Sequence, residues 1–161
     1  MGEKIKFANP KFIESLKGLV ETLKSGSGYN WYFMQDCIVG HLVKDAIGRE
    51  LFSELLETLD QRGSTWTRII FKLSRSSHLS LGEFALLKIL KDWDIDHRDI
   101  YLLENLGFHP HTLDKRCKKD VIVYFDDLLK IHEESRMEYD NVISVCFNQS
   151  LKLKDNFIEA I

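Results

Sequence analysis

DVIVYFDDLLKIHEE, from Asp120 to Glu134, decides the fold class, because it opens like a strand and continues like a helix. Val121 to Phe125 is an unbroken apolar run that suits a buried strand. The continuation settles the reading: Val121, Tyr124, Phe125, Leu128 and Leu129 recur at three- and four-residue steps and share one helical face, with charges opposite. A helix is expected from Asp120 through Ile131 and His132 to about Arg136. TWTRIIFKL, Thr65 to Leu73, poses the same choice, with β-branched and aromatic residues that also place Trp66, Ile69, Ile70 and Leu73 on one helical face. An isolated strand has no ladder partner, so the segment from Ser64 to Ser77 is read as helix too.

The rest of the chain agrees. Asn9 and Pro10 form a cap and a first-turn proline, followed by Phe12, Leu16, Leu19, Val20 and Leu23 on one stripe up to Gly26. SGSGY, Ser25 to Tyr29, is a short connector. NWYFMQDCIVGHLVKDAIG, Asn30 to Gly48, enters a helix near Gln35 or Asp36 and stops at Gly48. Arg49 to Gln61 makes a third helix before Gly63. Ser80 with Glu83 is a capping-box pattern opening Leu81 to Trp93, with Phe84, Leu87, Leu90 and Ile95 read as its core stripe. Asp96 or His97 begins a short helix through Leu106, which Gly107 ends. From Asn141 to Ile161 apolar and polar residues alternate without a clear period, and this stretch is read as peripheral. The expectation is an all-α single domain over residues 1–161, with about six to eight helices and room for a short minor strand pair.

Composition narrows the function. The chain has 161 residues, 44% hydrophobic and 29% charged, with two prolines, which is enough to bury roughly 70% of the unfolded surface without staples. The net charge of −3 argues against nucleic acid, whose binders carry a basic excess. The densest basic run, Lys115, Arg116, Lys118 and Lys119, is bracketed by Asp114 and Asp120. Three widely spaced cysteines, Cys37, Cys117 and Cys146, do not fit a secreted disulfide framework. The first residues, MGEKIKFANPKF, lack the apolar core of a signal peptide, and Lys6 spoils a myristoylation pattern. No membrane span is legible, so a cytoplasmic protein is expected. Phosphate-loop, paired-cysteine zinc and nucleophile-elbow patterns are absent.

Chemistry concentrates in one helix. Cys37, His41 and Asp45 stand four residues apart, which sets thiol, imidazole and carboxylate in one row. A thiol in a first helical turn is a nucleophile if it ionises, and the imidazole is its natural base, although Asp36 opposes ionisation. The bland reading has Cys37, Ile38, His41 and Leu42 on the core side. His78, His109 and His111 are further base candidates. A metal site would draw on Cys37, His41, His109 and His111, but no Cys-x-x-Cys supports it; no metal is favoured and no cofactor is expected. Asp92, Asp94, Asp96 and Asp99 lack the glycine and glutamate of a calcium loop and read as helix-end solvation. Aromatics at Tyr29, Trp31, Tyr32 and Phe33 suit a core edge or a pocket wall, and Asn30, Trp31 and Tyr32 are the candidate ligand residues.

Asn30-Trp31, Cys37 and Gly40-His41-Leu42, with LLENLGF and DVIVYFDDLL further on, resemble a group of small bacterial proteins sharing N-W, a short gap, and C-x-x-G-H-L. The resemblance spans most of the chain and implies a bacterial stand-alone domain without implying an activity. Asp36-Cys37 at a helix start is loosely similar to papain-like and cell-wall-peptide cysteine hydrolases, but the strand-borne histidine of those folds has no counterpart here. The expected function is a non-enzymatic binding module for a protein or a small molecule, with a homo-oligomer easy to build. The alternatives are a cysteine-dependent hydrolase or acyl-transferase using Cys37, and a metal-binding domain.

Overall fold

The computed structural model describes residues 9–59 and 65–159. Among the described residues there are seven helices: α1 (Pro10–Lys24), α2 (Ile38–Ile47), α3 (Arg49–Thr58), α4 (Trp66–Leu73), α5 (Leu81–Trp93), α6 (His97–Asn105) and α7 (Lys118–Glu159). Among the described residues there is no strand, so the minor strand pair is not formed. The readings that rested on residues 1–8, on Gln61 and Gly63, and on the chain's end at Ile161 lie outside the described residues. Packing divides the chain into two units, Met1–Leu129 and Lys130–Ile161.

In the first unit, local chemistry fixes the helix starts. Asn9 Oδ1 accepts the Phe12 N–H at 3.1 Å, while its amide donates to the Asp92 carbonyl at 3.0 Å and ties the start of α1 to the end of α5. Phe12 then meets Trp93 edge-on, their ring centroids 5.8 Å apart. Ser80 and Glu83 form the reciprocal capping box of α5, and Asp96 and Asp99 form that of α6. The acidic set near residue 96 is therefore cap chemistry: Asp94 ends α5 in the left-handed region and Asp96 opens α6.

Helix α2 is the hub. Every residue from Ile38 to Val43 is buried, and α2 packs on α1, α3, α5 and α6. The apolar positions of α1 and α4 expected inward are all buried, as are Val121, Tyr124, Phe125 and Leu128 of α7. Helix α5 differs from expectation. Its inner face is Gly82, Leu86, Leu90 and Trp93, whereas Phe84 is 60% exposed. Close approach to α3 sets that rotation, since a Cβ on Gly82 would lie 2.8 Å from the Leu51 carbonyl oxygen.

The helix expected to end near Arg136 continues to Glu159, so residues 141–159, for which no period was legible, are helical. In the second unit, none of the residues between 130 and 148 whose exposure is described is buried. A helix that buries little needs no apolar stripe, which is why its sequence shows no period.

Candidate functional site: an aromatic pocket beside Cys37

The entry loop to α2 is fastened by the Cys-x-x-Gly-His segment. Cys37 caps α2: its sulfur accepts the Gly40 N–H at 3.4 Å, and its thiol donates to the Met34 carbonyl at 3.4 Å. The same carbonyl accepts the Trp66 indole N–H at 2.9 Å. Gly40 is obligatory there, because a Cβ would sit 2.0 Å from the Met34 oxygen. One residue further, His41 Nε2–H donates to the Gly28 carbonyl at 2.7 Å, which holds the other end of the loop.

This arrangement separates the row read as a nucleophilic set. Cys37 is committed to Met34 and Gly40, and His41 to Gly28; Asp45 is exposed on the far end of α2. Burial pushes the Cys37 thiol up to about 11, with the Glu104 charge adding and the Gly40 N–H opposing. A thiol so held is protonated at neutral pH, and the imidazole one turn away bonds elsewhere. Relay from Asp45 through His41 to Cys37 has no hydrogen-bonded path.

Cys37 instead forms part of the wall of a cavity of about 240 Å³, together with Trp31, Tyr32, Met34, Trp66 and Glu104. Trp31 and Tyr32 meet edge-on at 5.1 Å, and the Trp31 indole N–H donates to the Glu104 carbonyl at 2.8 Å. Glu104 is the polar centre. Its carboxylate accepts the Trp66 backbone N–H at 2.9 Å and the Thr67 hydroxyl at 3.0 Å, both uncharged donors at the start of α4. Burial raises its pKa, with those bonds and the Lys115 charge opposing. Outside the cavity wall, the Lys115 ammonium lies 4.3 Å over the Trp31 ring and donates to Asn105 Oδ1 at 2.8 Å. Tyr29 donates its phenol to the Lys115 carbonyl, and burial with the nearby Cys37 and Asp114 charges keeps that phenol protonated well above its usual range.

Of the candidate ligand residues, Trp31 and Tyr32 reach this pocket. Asn30 does not; its Oδ1 accepts the Tyr32 N–H at 2.9 Å and shapes the turn. Trp66 and Glu104 are the additions that sequence reasoning did not single out as ligand residues. Glu104 lies within LLENLGF, but its role depends on partners 38 and 73 residues away.

His41 and Asp45 line a second, larger cleft of about 530 Å³ with Asp36, Lys44 and Arg49. It is open, and Asp45 and Arg49 are exposed, so water screens its charges. The four metal candidates are not assembled. His111 accepts the Leu113 N–H on Nδ1 at 2.9 Å and donates Nε2–H to the Leu106 carbonyl at 2.6 Å, leaving no lone pair for a metal. His109 stacks on Tyr124 with centroids 4.3 Å apart, its buried Nε2 without a hydrogen-bond partner. Among the described residues, no group of three or more His, Cys, Asp or Glu is placed to hold a metal ion. Among the same residues, no helix is long and apolar enough to cross a membrane. No family model, curated protein or solved structure matches the chain.

Proposed function

We propose that the chain is a non-enzymatic binding module that takes a small molecule into the pocket formed by Trp31, Tyr32, Cys37, Trp66 and Glu104. The observation that carries this reading is a half-buried carboxylate in a cavity walled by three aromatic rings. Binding pockets combine mostly apolar walls with a few fixed polar groups, and this cavity has that composition, built from the entry loop of α2, the starts of α2 and α4 and the body of α6. The volume, about 240 Å³, lies just below the ~300–1,000 Å³ typical of drug-sized ligands, which favours a headgroup or fragment over a large cofactor.

A cysteine-dependent reaction is less well supported, because the Cys37 thiol is buried and held protonated. The three cysteines are free, which supports a reducing, cytoplasmic setting. The test is a fragment screen read by NMR on the indole N–H signals of Trp31 and Trp66. Binders that shift both signals, and that lose affinity in Trp31→Ala, are expected. A screen whose binders all shift other regions overturns the reading.

A further inference from the structure

We infer that the ligand is a small organic cation, an alkylated ammonium group, bound between the aromatic rings and the Glu104 carboxylate; this rests on the binding reading above. An aromatic face attracts a cation through its quadrupole, and a carboxylate withdrawn from water gains most from a positive partner. Both features line one cavity here, and none of its lining residues is basic.

The protein already uses this chemistry on the same ring. Lys115 places its ammonium 4.3 Å from the Trp31 centroid, so the indole is a cation-accepting surface in this setting. Lys115 itself is anchored on Asn105 and stays outside the cavity wall. Glu104 has roughly four lone-pair sites, of which the Trp66 N–H, the Thr67 hydroxyl and the Thr67 N–H take three, so one remains for a ligand.

The rest of the wall selects among cations. A primary ammonium needs about three acceptors. Beside Glu104 the wall offers few: the Met34 carbonyl already accepts from Trp66 and Cys37, and the Thr65 hydroxyl accepts the Arg68 N–H at 3.2 Å. Alkyl groups on the nitrogen suit the apolar remainder. An anion would meet the Glu104 charge, and a neutral apolar ligand would take further water from that carboxylate without adding to the positive charge that Lys115 supplies.

The experiment titrates the full chain with choline, tetramethylammonium and 3,3-dimethylbutan-1-ol, the uncharged isostere of choline, following the Trp31 and Trp66 indole signals. The expected result is saturable shifts with both cations and choline affinity at least about tenfold above that of the alcohol. Glu104→Gln is expected to remove most of that preference, by weakening choline and relieving the cost of burying the alcohol against a charge. Where Glu104→Gln fails to fold, Tyr32→Ala serves, since Tyr32 is exposed at the pocket mouth, and it is expected to weaken choline binding severalfold. Equal affinity for choline and its isostere overturns the cation assignment and leaves the binding module standing. No shift at either indole with any cation overturns the assignment, and the fragment screen then decides the binding reading separately.

Discussion

Gly40 shows how narrowly single residues are set. Its missing Cβ leaves room for the Met34 carbonyl at 2.0 Å from the ideal Cβ position, a distance no side chain tolerates. Gly40→Ala must push the entry loop off α2, and a loss of about 3 kcal/mol or more is expected in urea unfolding, at the severe end for one methyl group. Cys37 sits in the same junction. With its thiol pushed up to about 11, iodoacetamide at pH 7 is expected to label exposed Cys146 well before Cys37, with Cys37 catching up only in strong alkali. Fast labelling of Cys37 in a folded sample would bring covalent chemistry back.

Glu104 carries a pH signature. Its pKa is raised from 4.5 by burial, so the folded chain holds that proton more tightly than the unfolded chain. The stabilising effect is complete below 4.5 and is lost as pH rises through the raised value. Melting temperatures measured across that window are expected to be flatter with pH in Glu104→Gln than in the parent. An unchanged slope would place the titration elsewhere. None of this was legible locally: an acid in a helix reads as surface, and only the fold brings Trp66 and Trp31 to it.

Among the elements, the helix starts were the most legible part of the chain. Asn9-Pro10 and Ser80-x-x-Glu83 are local chemistry, and they open α1 and α5 where the sequence says they do. Asp96→Ala removes a carboxylate that accepts the Arg98 and Asp99 N–H groups, and a loss of about 1 kcal/mol is expected by urea unfolding. The rotation of α5 was not legible, because Phe84, Leu86 and Leu87 offer apolar groups over much of its circumference. The contact of Gly82 with α3 chooses Leu86 and leaves Phe84 outside. The candidate row on α2 failed for a related reason. Four-residue spacing does align side chains, but each one answers to whatever the neighbouring loop presents, and the loop offers Met34 to Cys37 and Gly28 to His41.

At the scale of the whole molecule, the all-α class was readable from periodicity alone, while the extent of the last helix was not. Residues past Arg136 bury nothing among those described to residue 148, so periodicity had no burial to report. Backbone hydrogen exchange is expected to follow that division. Amides of α2 and the inner face of α5 should be the slowest, and those from residue 130 to 148 should exchange earlier. Equal protection along both would contradict the two-unit description.

The junction at the Met34 carbonyl also bears on how the chain tolerates drift. Position 40 admits glycine alone, position 37 needs a small side chain that both donates and accepts, and position 41 needs a donor that reaches Gly28. By contrast, exposed Asp45 and Arg49 answer to no such constraint. A randomised library selected for folded protein alone, with no ligand and no assay of activity, should therefore return Cys-x-x-Gly-His nearly intact while positions 45 and 49 diverge. Recurrence of that motif among variants would then record the closure of a loop, and would be silent about catalysis.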